Sequence, residues 1–397
     1  MKELLSKKGL EISPSVTLDI TAKAKAMKAK GIDVIGFGAG EPDFNTPENI
    51  RKEAIKAIEN GLTRYTPASG IIELKKAICE KLRNENGLNY STDNIIISNG
   101  AKHSIYNALM AILNPGDEVI IGVPYWVSYP ELIKIAGGKP VYIQTKEDND
   151  FKFTVDDLNA VLNDRTKAII LNSPSNPTGS IYDENELKLI ADWAVENNIL
   201  VISDEIYEKL IYEGEHISIA SINDDIKRLT IVINGMSKAY AMTGWRIGYA
   251  AAHEDIIKVM SNLQSHTTSN PCSISQYASI AGLLGNQDSV LEMKKHFEER
   301  RNYMVDTINS IDGLSCKKPR GAFYIMVNIS KLKGRTIKGA IINSSLDFAK
   351  VLLDEGKVAV IPGIAFGDDN YIRLSYATSM ENIRVGLERI KNVIENN

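Results

Sequence analysis

Leu229-Thr230-Ile231-Val232-Ile233-Asn234-Gly235-Met236-Ser237-Lys238-Ala239-Tyr240-Ala241-Met242-Thr243-Gly244-Trp245-Arg246 runs from an apolar, β-branched stretch into a lysine set among small residues. The first six residues read as a buried strand. Lys238 then falls just past a strand's carboxyl end, where α/β folds place their ligand crevice. A surface lysine normally sits among polar neighbours on a helix face, with its ammonium in water. A lysine held out of water has its charged form disfavoured, which frees the amine to form a Schiff base with an aldehyde.

Outward from that stretch the same grammar repeats. Short β-branched runs at 94–98, 118–123, 140–144, 167–172, 199–203, 229–234 and 246–251 alternate with helical patterns at 102–113, 128–136, 155–162 and 183–197. Strands alternating with helices predict an α/β domain with a mostly parallel central sheet. Past Asn286 the pattern changes to a long charged helix at 291–308, a strand-like Gly321-Ala322-Phe323-Tyr324-Ile325-Met326-Val327, a helix at 345–355 and a last helix from Met380. This predicts a smaller α+β domain. A helix at 16–30 and the glycine-rich Gly36-Phe37-Gly38-Ala39-Gly40-Glu41-Pro42 are expected to pack on it, giving units at 1–45, 46–286 and 287–397 with a cleft between the larger two.

Bulk properties narrow the function. A formal charge of −4 over 397 residues provides no basic footprint for nucleic acid. Met1-Lys2-Glu3-Leu4-Leu5-Ser6-Lys7-Lys8-Gly9 lacks an apolar core of signal-peptide length, and no apolar run approaches a membrane span, so a cytoplasmic protein is expected. Cys79, Cys272 and Cys316 are far apart and the five histidines form no His-x-x-x-His pair, so neither a disulfide framework nor a metal site is expected.

Four further strand ends carry chemistry. Ile202-Ser203-Asp204-Glu205-Ile206-Tyr207 places two carboxylates and a phenol after a core strand. Acids there can simply favour a helix amino terminus. Beside a Schiff-base lysine, Asp204 can instead keep a pyridine nitrogen protonated, with Tyr207 on the ring hydroxyl oxygen. Asn172-Ser173-Pro174-Ser175-Asn176-Pro177-Thr178-Gly179 reads alone as a turn, while in a crevice Asn176 can donate its amide to that oxygen. Ser98-Asn99-Gly100-Ala101-Lys102 points backbone N–H groups and a helix's positive end at an anion, without Walker or dinucleotide spacing; Ser237 and Arg246 can complete a phosphate clamp. In Pro124-Tyr125-Trp126-Val127-Ser128 the indole is either core or a platform for a flat ring. Tyr371-Ile372-Arg373-Leu374-Ser375-Tyr376 buries an arginine in an apolar run, where it needs a carboxylate, structural or the substrate's.

Together these residues resemble the class I aminotransferases among the fold-type I pyridoxal-phosphate enzymes, from about Val16 to the end. The lysine run, Gly40-Glu41-Pro42-Asp43-Phe44, Asn176-Pro177-Thr178-Gly179, Ser203-Asp204-Glu205-Ile206-Tyr207 and Arg373-Leu374-Ser375-Tyr376 occur in the family's order. The resemblance implies pyridoxal 5'-phosphate as cofactor, carried by Lys238, with Asp204 on the pyridinium nitrogen, Tyr207 and Asn176 on the ring oxygen and Trp126 stacked on the ring. Ala101, Lys102, Ser237 and Arg246 would surround the phosphate, joined by Tyr65 from a second subunit, so a homodimer is implied. Arg373 would grip the substrate α-carboxylate, helped by Gly40 and Asn176. Lys102 would meet the distal carboxylate of aspartate or glutamate, with Thr17 near the entrance. The expected reaction is ping-pong amino transfer from L-aspartate to 2-oxoglutarate.

The same resemblance holds open a prephenate or aromatic aminotransferase, or a carbon-sulfur lyase, on this fold. Relatives acting on prephenate tend to carry a basic residue before the proline of the amino-terminal segment, where this chain has Ser13 before Pro14, which argues against prephenate as substrate.

Overall fold

The computed structural model describes residues 4–14 and 16–396. The amino-terminal reading on Met1, Lys2 and Glu3 therefore lies outside the described residues. Seven strands form one sheet in the order Ile95–Ser98, Gly248–Ala251, Thr230–Gly235, Leu200–Asp204, Thr166–Asn172, Glu118–Val123, Lys139–Gln144. All run parallel except Gly248–Ala251, which is antiparallel to both neighbours. The mostly parallel sheet expected from the strand and helix alternation is therefore present, with one reversed strand inside it.

Strand geometry decides which residues face which helices. In Thr230–Gly235, Ile231 and Ile233 pack on one face with Ile96, Ile202, Ile105 and Leu109, while Val232 packs on the other with Ile97, Leu74 and Ile78. Alternate side chains on a strand point to opposite faces, and this strand is covered on both, so its middle residues Ile231, Val232 and Ile233 are all apolar and buried. Each fully buried isoleucine contributes roughly 1.5–3 kcal/mol of transfer free energy.

The helices begin where local chemistry starts them. Asp183 accepts from the Glu186 N–H and Glu186 returns a bond to the Asp183 N–H, opening Glu184–Glu196. Thr154 with Asp157 opens Val155–Val161 in the same way, and Ser344 with Asp347 opens Ser345–Asp354. Expected and observed helices agree to within a residue or two at 102–113, 128–136, 155–162 and 183–197.

Six further helices, Lys7–Leu10, Glu48–Glu59, Ile72–Asn86, Asp224–Leu229, Glu254–Thr267 and Ser273–Leu284, lie outside the helical patterns expected from the sequence. The expected strand at 246–251 also starts two residues later. Arg246 adopts a left-handed backbone, φ 58°, which takes it out of the strand and into the cleft described below.

The carboxyl-terminal region builds a second sheet, antiparallel, in the order Ile361–Pro362, Tyr371–Ser375, Tyr324–Asn328, flanked by helices Asp288–Asn309, Ser345–Asp354 and Met380–Glu395. Its core of Phe297, Phe323, Phe348, Leu374 and Ile383 also takes in Ile206, Tyr207 and Leu210, which follow the large sheet's strand Leu200–Asp204. Ile35–Gly36 pairs in parallel with Val358–Ala359, and Ala24 of the helix Val16–Ala29 packs against Val34 and Ala359. The amino-terminal helix is thereby held on the carboxyl-terminal layers.

Candidate active site

The carboxyl ends of the large sheet's strands, the carboxyl-terminal sheet and the amino-terminal segment enclose a cavity of about 570 Å³. Among the residues lining it are Thr17, Gly40, Ala101, Lys102, Trp126, Asn176, Asp204, Tyr207, Ser237, Lys238, Arg246 and Arg373. These are the residues expected from the sequence with one exception. Tyr65 is 91% exposed and lies outside the cavity of its own chain.

Lys238 projects from the turn after Thr230–Gly235 and donates to the Gly40 carbonyl at 2.5 Å. Its ammonium lies 5.9 Å from the centre of the Tyr207 ring and 5.8 Å from that of Phe323. Burial, with Arg373 and Arg246 nearby, lowers its pKa to about 8, partly opposed by Glu41 and Asp204. An amine in that range releases its proton readily, which a base or a nucleophile requires.

Asp204 ends the strand Leu200–Asp204 and is 4% exposed. Tyr129 donates its hydroxyl to Oδ2 at 2.7 Å and the Ile206 N–H donates to Oδ1 at 3.3 Å. Burial nevertheless pushes its carboxyl up to about 6. A buried acid held by donors but lacking a full cationic partner is suited to a ligand that brings positive charge.

The anion cradle lies at the amino end of the helix Ala101–Ile112, whose first N–H groups have no partner within the helix. Gly100 has φ 90°, and a Cβ there would strike the Arg246 guanidinium; a Cβ at Gly248 would strike the backbone of Gly100 and Ala101. Gly248 is therefore required by close approach to backbone, and Gly100 by its left-handed φ. Arg246 reaches in from its left-handed turn, donating to the Thr243 carbonyl at 2.8 Å and the Asn99 carbonyl at 3.1 Å. Burial and that guanidinium lower the pKa of Lys102, whose ammonium stands 5.0 Å over the Trp126 ring. The Arg246 cation beside helix N–H groups favours a multiply charged anion such as a phosphate, and Lys102 leaves a second positive charge in the same cavity.

Arg373, 3% exposed, comes from the middle of the carboxyl-terminal sheet. It donates through Nη1 to Asn176 Oδ1 at 3.0 Å and through Nη2 to the Gly38 carbonyl at 3.2 Å. Its guanidinium lies over the rings of Tyr324, at 4.3 Å, and Phe366, at 4.9 Å. Nε is buried without a partner, and among the described residues no carboxylate forms an ion pair with Arg373. A buried, uncompensated guanidinium opening into a cavity is built to receive a carboxylate from outside.

Three residues went unread in the sequence. Tyr324 shares a hydrogen bond with Tyr207 at 2.9 Å between hydroxyl oxygens, Tyr129 holds Asp204, and Glu41 accepts from Thr243. Tyr129 follows Trp126 by one helical turn, which was the available signal for it; nothing local marks Tyr324 or Glu41.

The aminotransferase class I and II family model matches residues 32–390. An aspartate aminotransferase of Bacillus sp. (strain YM-2) is 52% identical, covering 100% of both chains. A probable aspartate/prephenate aminotransferase of Aquifex aeolicus (strain VF5) is 44% identical, again over 100% of both chains. A solved aspartate aminotransferase from Thermus thermophilus with maleate superposes with a TM-score of 0.93 at 40% identity, covering 98% of this chain and 99% of that one.

Proposed function

The chain belongs to the class I and II aminotransferases, and we propose that it transfers the amino group of L-aspartate to 2-oxoglutarate, giving oxaloacetate and L-glutamate. The observation that carries the choice of substrate is a pair of cations, Arg373 and Lys102, lining the same cavity as Lys238, neither ion-paired among the described residues. A four-carbon dicarboxylate presents two anions to them.

The residues present fit pyridoxal 5'-phosphate, the cofactor of this family. The glycine-lined helix terminus with Ser237 and Arg246 suits its phosphate, and the buried carboxyl of Asp204 suits its ring nitrogen. Trp126 offers the ring a flat face, and Asn176, whose Oδ1 is committed to Arg373, keeps its amide N–H groups for the ring oxygen beside Tyr207. When bound, the cofactor supplies an electron-withdrawing ring that stabilises negative charge at the substrate Cα.

Arg373 holds the α-carboxylate, with Gly40 and Asn176 beside it, and so orients the Cα–H bond. Lys102 holds the distal carboxylate, with Thr17 at the entrance. Lys238, a neutral amine once freed, would take the Cα proton onto Nζ and pass it to the cofactor carbon that keeps the nitrogen. Asp204, itself held by Tyr129, would keep the cofactor's ring nitrogen protonated. Tyr324 steadies Tyr207 through their shared hydrogen bond.

The test is oxaloacetate formation by purified protein with cofactor, aspartate and 2-oxoglutarate, with prephenate, phenylalanine and alanine as parallel substrates. Preference for aspartate supports the assignment; activity confined to prephenate or the monocarboxylic acids overturns it. Lys102→Met is expected to lower kcat/KM for aspartate about 10- to 100-fold, the value of one charge-assisted hydrogen bond, while changing that for alanine little. An equal loss with both substrates would remove Lys102 from the specificity role.

Units 1–45, 46–286 and 287–397 would work together as a cytoplasmic homodimer in which the exposed Tyr65 completes the phosphate site of a second copy. No described helix is long and apolar enough to cross a membrane. Sedimentation equilibrium should give twice the chain mass, and Tyr65→Phe should weaken cofactor retention while leaving that mass unchanged; a monomer with full activity overturns the shared site.

A further inference from the structure

Directly behind the cavity lies a group of buried charges that the mechanism does not use. Glu205, 1% exposed, follows Asp204 in the chain and turns to the opposite side. It accepts from Ser203 Oγ at 2.8 Å and Ser218 Oγ at 2.6 Å, and His216 Nε2 lies 2.9 Å from Oε2. His216 Nε2 is also 3.9 Å from Glu208. Glu208 is paired with Lys81, which in turn donates to Asn86 at 2.8 Å and faces Glu85 at 3.6 Å, with Lys209 on the far side of Glu85.

Ligand atoms of Glu205, Glu208 and His216 lie within 4.8 Å of one another, a spacing that a metal ion could bridge. Here the Lys81 ammonium already supplies the cation beside Glu208.

The pairing leaves one acid dependent on one base. Against the effect of burial, Lys81, then His216 and Asn86, hold the Glu208 carboxyl down to about 2. Among the described residues, only His216 can bring positive charge directly to Glu205, since its other partners are neutral hydroxyls. Burial opposes charge on His216, but Glu205 and Glu208 outweigh it and raise its pKa. The field of Glu205 reaches neighbours on both sides: it contributes to the raised pKa values of Asp204 and of Tyr90, whose buried hydroxyl has no partner. The Glu205–His216 bond also closes the loop that carries Tyr207 and whose Leu210 carbonyl accepts from Ala322 N–H, two residues before Tyr324.

We propose that His216 is a positioning residue for Asp204 and Tyr207, acting through Glu205. Its imidazolium neutralises the carboxylate next to Asp204, so that Asp204 stays ionised toward the cleft, and it closes the loop that sets Tyr207 against Tyr324. The inference rests on Asp204 being the cofactor's partner.

The experiment uses the full-length holoenzyme and the variants His216→Gln, Glu205→Gln, their double, and Asp204→Asn as reference. The pH dependence of the bound cofactor's visible absorbance and of kcat/KM are followed, and nitrogen-15 NMR reports the charge of the His216 imidazole in the cofactor-free chain. His216→Gln should move the acid inflection up by about one unit, as an uncompensated like charge does. Glu205→Gln should move it down by less, and the double variant should return toward wild type. His216 should be charged at pH 7.

Shifts of the same sign, no shift in folded protein, or an imidazole neutral from pH 6 to 8 overturn the proposal, because loss of packing alone lowers stability without opposite pH shifts. Should His216→Gln fail to fold, the sign of the Glu205→Gln shift and the NMR titration decide. If Asp204→Asn leaves absorbance and rate intact, the reading of the site falls along with the inference; if Asp204→Asn is impaired but the opposite shifts are missing, only the inference falls.

Discussion

Replacing Lys238 by alanine is expected to lower kcat for aspartate by about 10⁴-fold or more and to abolish the visible absorbance of the cofactor-lysine link. General base catalysis by a positioned side chain contributes roughly 10²–10⁴ in rate, and the same amine also serves as the covalent anchor. The amine donates to the Gly40 carbonyl, and the two acids that act on it, Glu41 and Asp204, accept from Thr243 and Tyr129, so neither is placed to replace it as the base. Retained absorbance and turnover in the purified variant would remove Lys238 from the mechanism.

A second consequence concerns stability. In the fold, the Lys238 amine titrates near 8 instead of its ordinary 10.5. Between those values the unfolded chain binds more protons than the native one, so stability rises with pH across that window. Below pH 8 both states are protonated and the penalty for the buried charge is fully present. The cofactor-free wild type should therefore become more stable between pH 8 and 10 by an amount that Lys238→Ala lacks, and the variant should melt higher at pH 7. Differential scanning calorimetry at both pH values checks this; parallel pH dependences would place the lysine in ordinary solvent.

Arg373→Lys is expected to lower kcat/KM for aspartate by about 10²–10³-fold, or roughly 3–4 kcal/mol, although charge is conserved. The guanidinium reaches Asn176 and the Gly38 carbonyl through separate nitrogens while its plane lies against Tyr324 and Phe366. A lysine ammonium has neither the fork nor the flat face, and in a buried site it would lose its proton more readily than arginine. Binding of an unreactive four-carbon dicarboxylate should weaken in parallel, because the contact exists before chemistry begins. A kcat loss with unchanged dicarboxylate affinity would point away from carboxylate binding.

Legibility followed the range of the interactions. The strand and helix at Leu200–Asp204 and Glu184–Glu196 were readable because an apolar run and a capping pair are neighbours in the chain. The helix Ile72–Asn86 carried a usable stop signal in Gly87, left-handed at its end, which went unread. Ser273–Leu284 offered less: it buries Ser275, Gln276 and Ser279 along with its apolar residues, so it shows no polar face to set its period. Gln276 explains one of these, accepting from the Ile71 N–H and donating to Thr66 and to the Pro271 carbonyl.

By itself the sequence determined the alternating architecture, the strand ends on which the reactive groups sit, and the kind of cofactor they would hold, because each depends on residues a few positions apart. Only the tertiary structure decided which of those groups are compensated. Arg373 meets Asn176 across 197 positions of chain and no carboxylate, and Asp204 meets Tyr129 across 75. Whether a charge is paired or left for a ligand depends on what the fold brings within about 4 Å after water has been removed, and no local pattern records that distance.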